Sequence, residues 1–251
     1  MNRFIYIFLL LTFATCEKQG NDDTLFKKVA TEDSGLDFNN TIVENDILNI
    51  LDYEYMYNGG GVGIADFNSD GLPDIFFSGN MVSSRLYLNQ GNLKFKDVTI
   101  EAGVATDAWC TGVSIIDIND DGKPDIHLST AHDLELHKAK NYFFINLTDS
   151  QGNIRFENRA EEMHLADDSY SVQAAWLDYD NDNDLDLFLA NNSEEAYPKN
   201  NPMGQRKDGK GKSTDKLYSN EGKDENGIPV FKDVSEEAGI QIEGWLSLIH
   251  I

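Results

Sequence analysis

A nine-residue acidic pattern occurs three times in this chain. Residues 66–74 read DFNSDGLPD, residues 117–125 read DINDDGKPD, and residues 178–186 read DYDNDNDLD. All three fit D-x-[DN]-x-D-[GN]-x-x-D, which places oxygen-bearing side chains at alternate positions of a short loop. Such groups repel one another without a counter-charge, and a simple turn needs only about two of them. Three copies in register therefore indicate a hard cation, and Ca²⁺, which takes about six to eight oxygen ligands, fits best.

The position within the pattern predicts which atoms bind the ion. Positions one, three, five and nine offer side-chain oxygens, and position seven offers a backbone carbonyl. The predicted ligands of about three Ca²⁺ sites are Asp66, Asn68, Asp70, Leu72 and Asp74; Asp117, Asn119, Asp121, Lys123 and Asp125; and Asp178, Asp180, Asp182, Asp184 and Asp186.

The remaining loop positions follow backbone geometry. Position six is expected to turn with positive φ, which Gly71 and Gly122 adopt without strain and which Asn183 tolerates better than most residues. Pro73 and Pro124 lack an N–H and fix φ just before the last ligand, so they suit the exit of a loop rather than a helix.

An EF-hand loop begins with a similar acidic run, but this sequence does not fit an EF-hand. It requires a bidentate Glu at position twelve and a helix on each side. Position twelve is Phe77, Leu128 or Leu189 in the three copies. The flanking runs, such as GVGIA before the first loop and IFFS after it, are short and apolar. Each loop is therefore predicted to join two strands.

A longer repeat surrounds the acidic pattern. A second shared phrase starts at Arg85 (RLYLNQGNLKFKDVTIEAGV), at Asn141 and at Lys216, and a divergent early copy lies at residues 25–36. The acidic loops start at 66, 117 and 178, so the period is 51 and then 61 residues. Each period holds about four short strands separated by turn signals, which suits one blade of a β-propeller.

These phrases resemble FG-GAP/VCBS repeats, the blades of integrin α-subunit propellers. The combination of LYLNQG, FKDVTIEAG and D-x-N-x-D-G-x-P-D is most similar to the cartilage acidic protein/UnbV group. The resemblance implies an all-β fold, a β-propeller of FG-GAP/VCBS blades over residues 24–245, here an incomplete set of about three to four blades. It also implies calcium binding. It does not imply one molecular function, because this architecture serves adhesion, ligand binding, lyases and lipases.

The first residues predict export. Residues 1–16 combine Arg3, an apolar run too short to span a bilayer, and Cys16 in a lipobox-like FATC. Lipidation of Cys16 would make this an outer-membrane or cell-surface lipoprotein whose membrane contact is only the lipid anchor. Residues 17–23 would form a tether. The alternative is an ordinary secreted protein. Cys110 is then the second cysteine and is interpreted as a buried small hydrophobe.

Charge and chain order add three expectations. A net charge of -24 argues against nucleic-acid partners and anionic lipid surfaces. Residues 198–216, which are rich in Lys, Gly and Asn, are expected to form a polar insertion in the third repeat. The spacing of repeats places a further acidic loop near position 253, and residues 246–251 are expected to be an artefactual tail of a truncated product.

The histidines do not form a catalytic set. His132 and His137 are five residues apart on an irregular segment and are interpreted as surface residues. His127 alternates with apolar residues and is interpreted as a strand residue, whereas His164 stands alone. We therefore expect a calcium-binding, exported module that binds an extracellular protein or glycan and is not an enzyme. The alternatives are a calcium-dependent polysaccharide lyase or hydrolase whose catalytic part is missing or unrecognised, and a passive component that presents other domains.

Overall fold

The computed structural model describes residues 25–46, 48–51, 53, 55–132, 140–192 and 207–241. Several sequence predictions lie outside these residues: the export segment 1–16 with Cys16, the tether 17–23, His137, residues 198–206 of the polar insertion, and the tail 246–251. The chain divides into two compact units, Met1–Ala30 and Thr31–Ile251. In the first, the described residues 25–30 form no helix or strand. Every element below belongs to the second.

The described part of the second unit consists almost entirely of short strands. In chain order its elements are α1 (Thr31–Ser34), β1 (Val62–Ala65), β2 (Asp74–Phe77), β3 (Arg85–Asn89), β4 (Phe95–Asp97), α2 (Thr99–Ala102), β5 (Trp109–Ile116), β6 (Asp125–His132), β7 (Tyr142–Asn146), β8 (Phe156–Asn158), β9 (Ser171–Leu177), β10 (Asp186–Asn191), β11 (Lys216–Lys223) and β12 (Pro229–Asp233). Neither described helix is long or apolar enough to traverse a membrane.

The strands form three four-stranded antiparallel sheets in the orders β1-β2-β3-β4, β5-β6-β7-β8 and β9-β10-β11-β12. Each sheet is a simple meander made from one sequence repeat, so the prediction of an all-β fold with about four strands per blade is confirmed. The first two strands pair in the same register in all three sheets, through Ala65 with Asp74, Ile116 with Asp125, and Leu177 with Asp186.

The first strands of the three sheets lie side by side and run in the same direction. The N–H of Gly61 donates to the carbonyl of Thr111 at 2.8 Å. A Cβ built on Gly63 would lie 2.6 Å from Ile115, and the hydroxyl of Ser114 donates to the carbonyl of Ala174 at 3.1 Å. Since the strands are parallel, the loops that follow β1, β5 and β9 lie at the same end of the sheets.

The apolar core lies between successive sheets. One cluster combines residues of the first and second sheets, among them Phe76, Leu86, Ile126 and Phe144. A second cluster combines the second and third sheets in the same way. Aromatic and branched residues favour such strands because they pack well on a pleated surface. Cys110 is fully buried in the first cluster, as the sequence predicts.

Candidate metal centres

Each acidic pattern forms the loop between the first and second strands of a sheet. Positions one to eight form the loop, and position nine opens the second strand as Asp74, Asp125 or Asp186. The prediction that strands flank each loop is therefore confirmed, and Pro73 and Pro124 lie at loop exits as expected. His127 is a strand residue of β6, and the backbone of His132 ends the same strand.

The position-one carboxylate organises the turn in every copy. Asp66 accepts hydrogen bonds from the N–H of Asp70 at 3.0 Å and of Gly71 at 2.8 Å. The bonds to Asp117 are 3.1 and 2.8 Å, and those to Asp178 are 3.1 and 3.2 Å, from the equivalent donors. The same two side-chain-to-backbone bonds therefore stabilise the same turn in all three loops.

Positions three and five add further bonds within the loop. The position-five carboxylates Asp70, Asp121 and Asp182 accept the N–H of position seven at 2.8, 2.9 and 3.1 Å. At position three, Asn68 and Asn119 accept the N–H of position five at 3.2 and 3.1 Å. These bonds use the N–H of position seven and not its carbonyl. The carbonyls of Leu72, Lys123 and Asp184 are the backbone oxygens that the pattern predicts as cation ligands.

Two residues of each loop have left-handed backbone conformation. At position six φ is 86° at Gly71, 83° at Gly122 and 74° at Asn183, which confirms the expectation for that position. Position four also has positive φ, at Ser69, Asp120 and Asn181. Position four carries no such signal in the sequence, because Ser and Asp do not indicate positive φ as clearly as Gly does.

The position-nine aspartates have a structural role that the sequence analysis did not foresee. All three side chains are buried. Both oxygens of Asp74 accept backbone N–H groups, from Phe67 at 2.9 Å in the loop and from Asn89 at 2.8 Å at the end of β3. Asp125 and Asp186 make the same pair of bonds in their own sheets. A carboxylate oxygen can accept more than one bond, so this role is compatible with cation binding.

An asparagine completes each of these connections. The side-chain amides of Asn89, Asn146 and Asn220 donate to the carbonyls of position eight at 2.9, 3.1 and 3.3 Å. Asn146 also donates to the carbonyl of Phe67 in the preceding sheet at 3.0 Å. We call each pair of position-nine Asp and third-strand Asn the Asp–Asn clasp. The signal in the sequence was the Asn of the shared aromatic phrase, which recurs before a turn.

The electrostatics of the loops favour a cation. Burial, opposed by backbone hydrogen bonds and reinforced by neighbouring loop carboxylates, raises the pKa of Asp74 to about 6 and that of Asp125 to about 7. Burial and nearby carboxylates also raise the pKa of Asp180, and they raise that of Asp184 to about 6. Each shift means that negative charge in these loops is costly without a counter-ion.

The third loop gathers the densest set of carboxylates. One oxygen each from Asp178, Asp180 and Asp186 lie within 4.8 Å of one another. Among the described residues, no lysine or arginine forms an ion pair with any of the three. The first two loops have Asn in place of Asp180. The oxygen donors present, carboxylate, amide and carbonyl, are those that Ca²⁺ prefers, so these residues fit that ion.

The second loop has neighbouring positive charge. Lys123 Nζ lies 3.9 Å from Asp121, and Lys223 of the third sheet donates to the carbonyl of Asn119 at 2.7 Å. The β11–β12 hairpin therefore reaches the acidic loop of the preceding sheet. The three loops share a frame but differ in their electrostatic surroundings.

Comparison with known proteins places the repeat in a family. The model of the FG-GAP-like repeat matches residues 66–128, which run from the first acidic loop through the second to β6. Residues 66–128 therefore match an FG-GAP-like repeat. Cartilage acidic protein 1 of Mus musculus is 30% identical to this chain over 137 residues, or 53% of this chain. The match covers 20% of that relative's length, so the chain corresponds to about a fifth of it.

Proposed function

We propose that this protein is an exported, calcium-binding propeller module that binds an extracellular protein or glycan. The observation that carries the calcium proposal is the threefold recurrence of one loop frame. In each copy the position-one carboxylate accepts the same two backbone N–H groups, and position nine is tied to the third strand. A turn alone does not require this number of acidic side chains.

Bound Ca²⁺ would supply positive charge at the point where the loop carboxylates converge. The protein's own contribution is to hold those oxygens in place before the ion arrives, through the backbone bonds to Asp66, Asp117 and Asp178. Prearranged ligands lose less freedom on binding, which strengthens affinity. For extracellular modules the expected dissociation constant is about 10⁻⁴ to 10⁻³ M. Calcium would then stabilise a protein of strongly negative charge.

Export and anchoring rest on the sequence alone. The export segment, Cys16 as a lipid-bearing residue and a location on the outer membrane or cell surface remain proposals, with secretion as the alternative. An extracellular setting agrees with calcium sites of modest affinity, since dissociation constants of about 10⁻⁴ to 10⁻³ M are typical of extracellular modules. It also fits a protein whose other cysteine, Cys110, is buried and unpaired.

The test of the calcium proposal counts ions in single-loop variants. The full chain should bind about three Ca²⁺, and Asp70→Ala, Asp121→Ala and Asp182→Ala should each remove one while the other two remain. At a calcium concentration of about 100 times the dissociation constant, each site adds about 2.7 kcal/mol to the free energy of unfolding. Thermal unfolding with calcium and with chelator measures this effect.

A matched control is Glu225→Ala, which removes an exposed acidic residue outside the loops. It should leave both the ion count and the calcium-induced rise in Tm unchanged. A folded chain that binds no calcium would refute the proposal. Turnover of a uronic-acid polysaccharide by the chain would instead favour the lyase or hydrolase alternative.

A further inference from the structure

A cleft of about 450 Å³ opens at the end of the first strands opposite the acidic loops. It is lined by the segment before β1, by the starts of β5 and β9, and by the ends of β6 and β10. Because β1, β5 and β9 are parallel, their starts meet at this end and their acidic loops lie at the other. The volume falls in the range of about 300–1,000 Å³ that is usual for small-molecule sites.

The three first strands contribute equivalent positions to the cleft, but with different side chains. Five residues before each acidic loop stand Gly61, Gly112 and Gln173, all of which line the cleft. A Cβ on Gly112 would lie 2.2 Å from Oε1 of Gln173. The glycine of the second sheet therefore makes room for the amide of the third.

The amide of Gln173 is fixed by its nitrogen. Nε2 donates to Ser114 Oγ at 3.1 Å and to the carbonyl of Ala174 at 3.2 Å. Its Oε1 accepts no hydrogen bond from the residues that the structure describes. A fixed amide with an unused acceptor is a prearranged partner for a ligand hydroxyl or amide N–H. Asn58, also in the lining, is exposed, and its side-chain amide makes no hydrogen bond within the described ranges.

Aromatic side chains form another part of the lining. The ring of Tyr53 lies edge-on to Trp109, with centroids 5.2 Å apart, and 6.2 Å from the ring of Tyr55. Trp109 and Tyr53 are buried, with 1% and 7% of their surface exposed, whereas Tyr55 is partly exposed and is the ring that a ligand can reach. Aromatic rings that bring a large apolar surface and few rotamers suit the apolar face of a compact ligand.

The described lining residues carry no formal charge, although the protein has 44 acidic residues and a net charge of -24. None of the lining side chains that the structure describes would offer a charged ligand an opposite charge to compensate its desolvation. The concave shape and the volume of the cleft suit a small ligand, whereas a protein interface of standard size spreads over about 800 Å² on each side. Aromatic rings and neutral amides together suit a ligand that is small, uncharged and rich in hydroxyl groups. The hydroxyl of Thr111 is already used, since it donates to the carbonyls of Ser129 and Ser171.

We propose that this cleft is the ligand site of the module and that its ligand is a neutral oligosaccharide. The inference rests on the proposed ligand-binding function and specifies its site and its chemistry. Asn58 and Gln173 bind sugar hydroxyls, and the ring of Tyr55, packed on Tyr53, contacts the apolar face of a sugar ring. The acidic loops at the opposite end hold calcium and do not touch the ligand.

The test is a glycan array that carries neutral and acidic oligosaccharides, followed by calorimetric titration of the neutral glycans that bind the full chain. Asn58→Ala and Gln173→Leu should each weaken binding by about three- to tenfold, as expected for the loss of one neutral hydrogen bond. The matched control is Gln90→Ala, an exposed amide beyond β3 at the calcium-loop end, which should leave affinity unchanged.

Three results of the glycan experiments would overturn the inference. They are binding of acidic glycans only, neutral-glycan binding that neither cleft variant weakens, and no glycan binding by a chain that still binds calcium. The second result would leave the proposed ligand-binding function standing with another site. Capture of a protein ligand that Asn58→Ala releases would place a protein, not a sugar, in the cleft. Loss of calcium binding would contradict the proposed function but leave the cleft to be judged by the glycan titrations.

Discussion

His127 makes the second sheet differ from its neighbours, and replacing it with Phe should stabilise the protein. It follows the position-nine Asp by two residues, and the equivalent residues of the other sheets are Phe76 and Phe188. The side chain of His127 is fully buried, with its ring centroid 5.8 Å from those of Phe143 and Trp176. Neither ring nitrogen has a hydrogen-bond partner among the described residues.

The size of the effect follows from this lack of partners. A buried polar group without a hydrogen bond costs about 1–3 kcal/mol, and Phe in the same position has no such group. His127→Phe should therefore raise the free energy of unfolding at neutral pH by about 1–3 kcal/mol. The position already accepts Phe in two sheets, so overpacking is not expected to reverse the sign.

Acid should enlarge the difference. Burial lowers the pKa of His127 to about 3, against a weak opposing effect of Asp167, while the unfolded chain keeps the ordinary value of 6.5. Between these values the unfolded state binds a proton that the native state does not, so this residue removes stability as pH falls below 6.5. The loss is about 1.4 kcal/mol per pH unit, or about 2 kcal/mol at about pH 5. The Phe variant should lack this loss.

Urea unfolding at constant saturating calcium, followed by circular dichroism at about pH 7.5 and about pH 5, measures both effects. His164→Asn serves as a control, because it removes an exposed histidine whose φ of 59° Asn tolerates. The free energy of unfolding of that variant should differ little from that of the parent chain at either pH. Equal or lower stability of His127→Phe at both pH values would refute the argument and mean that the imidazole has a partner such as a buried water.

Three further predictions concern the loops. Asp125→Ala should lower the free energy of unfolding by about 2–4 kcal/mol even in chelator, because the buried N–H groups of Ile118 and Asn146 lose their acceptor. Urea unfolding measures this loss, and a loss seen only with calcium would contradict the prediction. Gly122→Ala should lower the free energy of unfolding by about 1–2 kcal/mol through backbone strain at positive φ, although the added methyl group meets open space. Gly122→Asn should lower it less, and equal losses in urea unfolding would argue against backbone strain. Protons compete with Ca²⁺ for carboxylates whose pKa is raised, so the calcium affinity of the second loop should fall below about pH 7, the pKa of Asp125, and that of the first loop below about pH 6, the pKa of Asp74. Calorimetry measures both affinities, and affinities that do not change with pH would exclude these two residues as ligands.

The sequence predicts the fold well because its strongest signals are local. The acidic pattern, the flanking apolar runs and the turn at position six each occupy consecutive residues, and all three are present in the structure. The Asp–Asn clasp was harder to foresee. Asp186 and Asn220 are separated by 34 residues, and spacing alone does not reveal that their backbone and side chains meet. The position-nine Asp is also explained by the cation-ligand pattern, so its second role as a buried hydrogen-bond acceptor is not apparent from the sequence.

The cleft could not be predicted from the sequence at all. It requires Asn58, Trp109 and Gln173, which belong to three different repeats, to come together at one end of parallel strands. None of them stands in a recognisable motif, and the aromatic residues would serve equally well in a core. Only the side-by-side arrangement of β1, β5 and β9 shows that they share one opening.

The placement of the apolar core between sheets means that the three repeats are not equally free to vary. The second sheet contributes Ile126 and Leu128 to one cluster and Phe143 and Ile145 to the other, whereas the first and third sheets each contribute to one of these two clusters. A cavity made in the second sheet can therefore loosen either neighbour. Among the three described sheets, a large-to-small substitution in the middle one should therefore disturb two clusters, even though the three repeats share one pattern and one local geometry.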